Sequence, residues 1–356
     1  MPIYSYLFAY SFPIIALLSL SFGGWTLWIL PMLAFVLIPI LELRLQGDYV
    51  SRSTTAEQEL PFDFEPLNLD WLLFALLPFQ IAVIFFLGYQ LEHNAWDIAE
   101  ITGAIFSAGI CLGVISINVA HELGHRNEQK YQRMAKGFLL TTLYLHFIIE
   151  HNFGHHRYVA TPKDAASAPK GMNLYVFLCR SIWKSWISAW KIEEGRRQRK
   201  NLPWWHNQMW GFQSLQVGLL GIFAVLFSIK VMLCFVVASL VGILLLETIN
   251  YVEHYGLQRN LRSNGAYEPV QPKHSWNAEH LMGRMLLFEL TRHSDHHAHP
   301  KRKFQQLRYF EDAAQLPYGY AMMVLIAWCP PLWFAIMNPH HSSEMQRLIE
   351  LEKKYA

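Results

Sequence analysis

Residues 101–125 read ITGAIFSAGICLGVISINVAHELGH. No charge occurs from Ile101 to Ala120, and the polar group that ends the run is a histidine pair, His121 and His125. About 20 consecutive apolar residues cross a bilayer core of roughly 30 Å as a helix. If the helix continues past Ala120, His121 and His125 share one face, with side chains about 5–6 Å apart. The stretch therefore reads as a membrane span that delivers two imidazoles at its exit.

The same pattern recurs in both directions. Met1 to Leu41, Trp71 to Leu91 and Asn201 to Ile229 are also free of charge. The chain is 53% hydrophobic and 16% charged, where soluble chains average about 25% charged. The first run divides at Gly23-Gly24 into helices over Ile3–Phe22 and Trp25–Leu41. An acidic loop follows from Glu42 to Asp70, broken by Pro61 and Pro66. A second hairpin covers Trp71–Leu91 and Ile101–Ala120, and a third Trp210–Phe227 and Val231–Asn250. A removable leader is not expected, because the first 41 residues lack a basic n-region and are long enough for two spans. The expected fold is all-α: a polytopic membrane protein with six transmembrane helices in three hairpins and a histidine-rich helical cap. We read residues 1–356 as a single integral-membrane domain. Spans 1–4 occupy 1–120, polar segments 121–209 and 251–356, and spans 5–6 210–250. A further apolar run, Tyr320–Met337, contains Pro330-Pro331 and reads as interfacial or partly buried.

Charge orients the frame. Of 29 Lys and Arg residues, 14 lie between Arg126 and Lys200 and 12 from Arg259 onward. Arg44 and Arg52 lie in the first long loop, and Lys230 alone falls in a turn on the opposite side. The positive-inside rule puts the polar segments, and every histidine cluster, in the cytoplasm.

Those segments carry HELGH from His121, HNFGHH from His151, HSDHH from His293 and a single His254 in NYVEHYGL. Neutral imidazole is the commonest side-chain metal ligand and suits iron, copper and zinc. One ion rarely takes more than four or five protein nitrogens, so these nine side chains imply two ions. His151 and His155 repeat the four-residue spacing. His156 points about 100° further round the helix, toward a second ion. His293 with His296 and His297 combines both spacings, and His254 is expected one turn beyond the sixth span.

Duller readings compete. HELGH alone matches the HExxH zinc protease motif, with Glu122 as base. The seven other histidines in the same compartment argue against it. Ligand histidines usually donate their second N–H to a carboxylate or carbonyl, and Glu122, Glu150, Asp164, Glu253 and Asp295 are the nearby carboxylates. His146, His274 and His280 are further candidates for that outer shell. Cys111, Cys179, Cys234 and Cys329 form no CxxC pair, so a cysteine-bound metal is not encoded. A transporter is disfavoured because the spans read as free of intramembrane charge.

HELGHR, EHNFGHH, NYVEHYGL and LTRHSDHHAHP, with LPYGY at Leu316, resemble the signature boxes of the membrane alkane 1-monooxygenases. The resemblance runs from about Ile3 to Met337. Arg126 and Thr291 stand where many members have Lys and Gln, and neither is a ligand position. The resemblance implies a non-haem di-iron centre on His121, His125, His151, His155, His156, His254, His293, His296 and His297. It implies O2 as co-substrate and hydroxylation of the terminal methyl of an alkane at the bacterial inner membrane. Electrons would come from a rubredoxin, on a separate chain given the lack of CxxC, and its NAD(P)H-dependent reductase. A xylene- or cymene-type side-chain monooxygenase is the nearest rival; a membrane fatty-acid desaturase or hydroxylase is more distant. Ala34 and Ala82, small residues in spans two and three, are the candidates for room in a substrate channel.

Overall fold

The structure, a computed structural model, describes residues 1–45 and 68–355. Residues 46–67 of the acidic loop, with Arg52, Pro61 and Pro66, lie outside the described residues, while Glu42–Leu45 extend the second helix.

The protein is an all-α polytopic membrane protein. Its six long apolar helices are Ile3–Phe22, Gly24–Leu45, Asp70–His93, Ile98–Gly124, Gln208–Leu226 and Ile229–His254, called spans 1 to 6 below. They begin and end within a few residues of the uncharged runs, and most extend further at the polar ends. Span 6 continues to His254, so this histidine closes the helix instead of lying a turn beyond it. Tyr320–Met337 forms no single helix long and apolar enough to cross a membrane. It breaks at Pro330 into Tyr320–Ala327 and the start of Pro330–Tyr355, with Tyr320, Met323, Trp333 and Met337 buried.

The chain forms two compact units. The first contains spans 1, 3, 4 and 5, most of span 6 up to Leu246, the start of span 2, and residues 184–207. Spans 1 and 2 turn at Gly23 and Gly24, whose φ angles of 66° and 61° favour glycine. Span 4 starts with a capping box, Asp97 accepting from Glu100 N at 2.8 Å and Glu100 from Asp97 N at 2.9 Å. Glu100 also accepts from Gly24 N at 2.9 Å, joining the first two hairpins. Spans 4 and 6 meet backbone to backbone. A Cβ on Gly113 would lie 2.8 Å from the Gly242 carbonyl, and one on Gly242 2.9 Å from Gly113 N. Small residues let membrane helices approach this closely. Span 4 is the most enclosed of the six spans and span 5 the least.

The second unit comprises the end of span 2 from Leu37, residues 155–183, and the chain from Glu247 onward. Its strands, Trp276–Asn277 and Ala314–Gln315, pair in parallel. Fully buried Trp276 donates to the Tyr255 carbonyl at 2.9 Å. The same unit holds two buried arginines. Arg284 bonds Glu289 at 2.6 Å, and Arg292 bonds Glu279 at 2.8 Å. Buried charges persist where they are paired in this way. Span 6 also carries a charge that the sequence reading overlooked. Glu247 is buried and accepts from Ser181 Oγ and from Asn250 Nδ2.

Candidate metal centre

In the first unit, span 4 carries His121 and His125 to the start of the polar segment. The chain returns through Phe147–Glu150 into a π-helical turn, His151–His155. Such turns are rare and concentrate at functional sites. His125 Nε2 and His151 Nε2 lie 3.1 Å apart, and the His121 and His151 rings are 4.3 Å apart. Asn152 Nδ2 donates to the Gly124 carbonyl at 2.8 Å, locking the returning helix to the end of span 4. Phe147 stacks on His151 at 4.7 Å. Glu122 is buried. It accepts from Arg126 at 2.8 Å, and Arg126 also bonds Asp70. Glu150 is buried, its carboxylate filling the space above Gly154 where a Cβ would collide. His146 is buried too, and burial lowers its pKa to about 3, so it stays neutral.

In the second unit, His155, His254, His293 and His297 point their Nε2 atoms at one another. The separations are 3.2 Å for His155 to His297, 3.1 Å for His293 to His254 and 2.9 Å for His297 to His293. All four rings are buried. Four nitrogens set tetrahedrally at about 2.0–2.1 Å from one ion lie about 3.4 Å apart, so these residues fit a metal ion after a few tenths of an ångström of opening. Burial, then the neighbouring imidazoles, holds His297 far below the usual histidine pKa, so it offers a lone pair instead of a charge.

His155 Nδ1 lies 2.9 Å from Asp164 Oδ2. Burial alone would raise the Asp164 carboxyl, but His155, with the Ser167 hydroxyl, brings it below the usual range. An ionised Asp164 keeps the proton on Nδ1 and leaves Nε2 free for a cation. Glu253 sits closer in. Its Oε2 lies 3.1 Å from His293 Nε2, and its Oε1 accepts from Tyr320 at 2.7 Å. This places a carboxylate oxygen at a nitrogen that a metal would take.

The adjacent His155 and His156 diverge as expected, His156 Nε2 lying 3.2 Å from His296 Nε2. The expected sharing of one ion by His151 and His155 is not observed, because His155 joins His254, His293 and His297 instead. A π-turn holds more residues than an α-turn, so position i+4 falls short of a full revolution where in an α-helix it overshoots. His296 likewise leaves His293 and His297 for His156.

Asp295 serves the scaffold. It accepts from His299 at 2.8 Å, Arg302 at 2.6 Å and Arg308 N at 2.8 Å, and none of these is among the nine. His274 pairs with Glu268 at 3.2 Å. His280 is buried and, among the described residues, has no bond partner at either ring nitrogen; burial lowers its pKa to about 4. Ala34 is enclosed within span 2. Ala82 is exposed on the outer face of span 3, opposite the enclosed stripe Gln80, Val83, Ile84 and Leu87, so it lines no internal channel. Tyr320, within LPYGY, is a buried side chain at the site that residue patterns alone do not single out. Its signal was the motif; its role required Glu253 beside it.

Alkane 1-monooxygenase 2 of Pseudomonas aeruginosa is 37% identical to this chain over 337 residues, covering 92% of the chain and 88% of that protein. The chain belongs to the alkane 1-monooxygenase family. A second alkane 1-monooxygenase 2, from Alcanivorax borkumensis, is 35% identical over 352 residues, 96% of the chain and 91% of that protein. The xylene/toluene monooxygenase hydroxylase component XylM of Pseudomonas putida is 28% identical over 328 residues, 90% of the chain and 84% of that protein. A family model described as fatty acid desaturase matches residues 99–327, which hold all nine histidines. The alkane 1-monooxygenase family is thus part of a broader histidine-box group, and the aromatic side-chain enzyme is a more distant relative than the alkane enzymes.

Proposed function

We propose that the protein hydroxylates the terminal methyl of medium- to long-chain n-alkanes to 1-alkanols. The observation that carries this reading is the buried convergence of His155, His254, His293 and His297 in a chain of this family. Alkane, O2, two electrons and two protons give alkanol and water. The nine histidines would hold two irons, one of them on these four, with the other five donors left for the second. Bound there, the irons supply O2 activation and oxidation of the C–H bond.

The protein's own residues do the rest. Asp164 keeps His155 in the ligating tautomer. Tyr320 holds one oxygen of Glu253, leaving the other directed at the imidazole nitrogens, where it can accept a proton. The apolar spans exclude water and admit an alkane from the lipid. A methyl C–H is stronger than the adjacent methylene C–H, so terminal selectivity must come from positioning, which can supply several kcal/mol. Ala34 is the remaining candidate for room in the channel.

We assign electron supply to a rubredoxin reduced by an NAD(P)H-dependent reductase, and the site to the cytoplasmic side of a bacterial inner membrane. Small acidic electron carriers suit docking on a basic face by charge complementarity. The whole chain would act as one monooxygenase domain. The test is product analysis of purified, iron-loaded protein with rubredoxin, reductase and NADH under labelled O2. The substrates would be hexane-to-hexadecane alkanes, p-xylene and a saturated acyl chain. Labelled 1-alkanols are expected. Benzylic alcohols alone would assign the aromatic reaction, and absence of labelled product with donor oxidation intact would reject the reading.

A further inference from the structure

A cluster of tryptophans in the first unit has no part in this chemistry. Trp186 lies at the middle and Trp190 in the C-terminal half of the Leu174–Arg199 helix, Trp204 and Trp205 in the turn Trp204–His206, and Trp210 in the first turn of span 5. Their rings form a chain. Trp186 meets Trp190 at 5.9 Å, Trp190 meets Trp210 at 5.0 Å, Trp210 meets Trp204 at 5.9 Å and Trp204 meets Trp205 at 5.7 Å. Exposed apolar area of this kind usually marks an interaction surface. Trp204, Trp205 and Trp210 are 63%, 61% and 50% exposed.

The turn is held firmly. Arg196 donates to the His206 carbonyl at 2.9 Å, and Arg197 to the Leu202 carbonyl. Glu193 and Glu194 pair with those two arginines. Lys184, Lys191, Arg199 and Lys200 are exposed and make no ion pair among the described residues. The surface is therefore aromatic, with an unneutralised basic rim.

Its position limits what can cover it. Trp210 opens the exposed face of span 5, which continues through Ser214, Val217, Gly221 and Val225. Span 5 is long and apolar enough to cross a membrane, and in a bilayer the tryptophans at its start would stand where lipid acyl chains give way to headgroups. Indole prefers this layer, with its ring in the apolar side and its N–H in the wet side. Basic residues beside it attract anionic headgroups.

We propose that Trp186, Trp190, Trp204, Trp205 and Trp210, with Lys184, Lys191, Arg199 and Lys200, dock onto the headgroup layer of an anionic bilayer. The second half of the Leu174–Arg199 helix then lies at the membrane surface instead of in bulk water. This assignment does not depend on the reaction proposed above.

The test uses the full-length protein in nanodiscs of phosphatidylcholine mixed with phosphatidylglycerol. Subtracting the fluorescence of a W204F/W205F/W210F variant from that of the wild type isolates three indoles while keeping the site apolar. Lipids brominated near the headgroup should quench about half or more of that difference signal, and aqueous iodide little of it. Strong iodide quenching with no bromolipid effect would place the cluster in solvent or under a protein partner and overturn the proposal. Stronger quenching by bromine near the acyl terminus would also overturn it. Lipid co-purified with a K184Q/K191Q/R199Q/K200Q variant should lose the phosphatidylglycerol enrichment seen with the wild type. Equal enrichment in both would refute the basic half of the surface.

Discussion

Replacing Asp164 with Asn tests the link between the scaffold and the four-histidine site. Asp164 is fully enclosed, and its two oxygens do different work. Oδ2 accepts from His155 Nδ1 at 2.9 Å and from Ser167 Oγ at 2.6 Å, while Oδ1 accepts from Ala166 N at 3.0 Å. An amide cannot reproduce this in either orientation. With its NH2 toward His155, it faces the Nδ1 proton, and the imidazole must move that proton to Nε2, the atom a metal needs. With its NH2 toward Ala166, it opposes a backbone N–H inside a buried turn, which costs about 1–3 kcal/mol.

Loss of such a partner typically lowers metal affinity by about 10–100-fold, equivalent to roughly 1.4–2.7 kcal/mol. The assay is an anaerobic Fe(II) titration of metal-free protein against a chelator of known affinity, with bound metal counted by mass spectrometry. D164N should weaken one class of site by that factor and leave the other unchanged. S167A, which removes a donor to Asp164 but keeps its charge, should give a smaller shift and guards against misfolding of the first variant. If D164N binds every equivalent with wild-type affinity, His155 is not oriented by this carboxylate, and the tautomer argument fails.

Four further outcomes follow from the geometry. Tyr320→Phe strips the O–H donor from a buried oxygen of Glu253 and should cost about 1–3 kcal/mol, read as a lower unfolding temperature in detergent. Gly113→Ala places a Cβ against the Gly242 carbonyl and should destabilise by about 1–3 kcal/mol; Gly218→Ala, with nothing within 4 Å of its Cβ, should be neutral or slightly stabilising in the same melt. A bulky residue at exposed Ala82 should leave the chain-length profile of products unchanged, whereas Ala34→Phe should shift it toward shorter alkanes; an equal effect at both would remove Ala34 from the channel. His280 has a folded pKa of about 4 against 6.5 for the free side chain, so the unfolded chain binds the extra proton and stability falls as pH drops from 6.5 toward 4, by up to about 3 kcal/mol. His280→Gln should flatten that part of the melting-temperature profile.

The spans were legible because a charge in a bilayer is expensive, and so the uncharged runs mark helix boundaries directly. His121 and His125 were legible for a related reason, since a single helix carries them and helical spacing alone places them on one face. Orientation around a span was harder to read. Ala82 sits in an apolar run where every residue type is similar, and only packing separates its outward face from the enclosed stripe through Gln80. Glu247 was missed for the opposite reason. Its charge is tolerated because Ser181, far away in sequence, supplies a hydrogen bond.

The assignment of ligands to ions depended on two things that sequence does not display. One is the local winding of the helix. His151–His155 is a π-turn, so the α-helical offset misjudges which imidazoles share a direction. The other is the role of neighbouring charges. Arg284 and Arg292 counted toward the basic excess that orients the protein in the membrane, yet both are buried against Glu279 and Glu289. Arg292 directly precedes His293, and Asp295, between two ligand positions, is clamped by Arg302 and Arg308. The residues interleaved with the histidines of the last box are therefore its mounting. Changing Glu279 or Asp295 should disturb the metal site through His293, His296 and His297, by way of the arginines that mount the box.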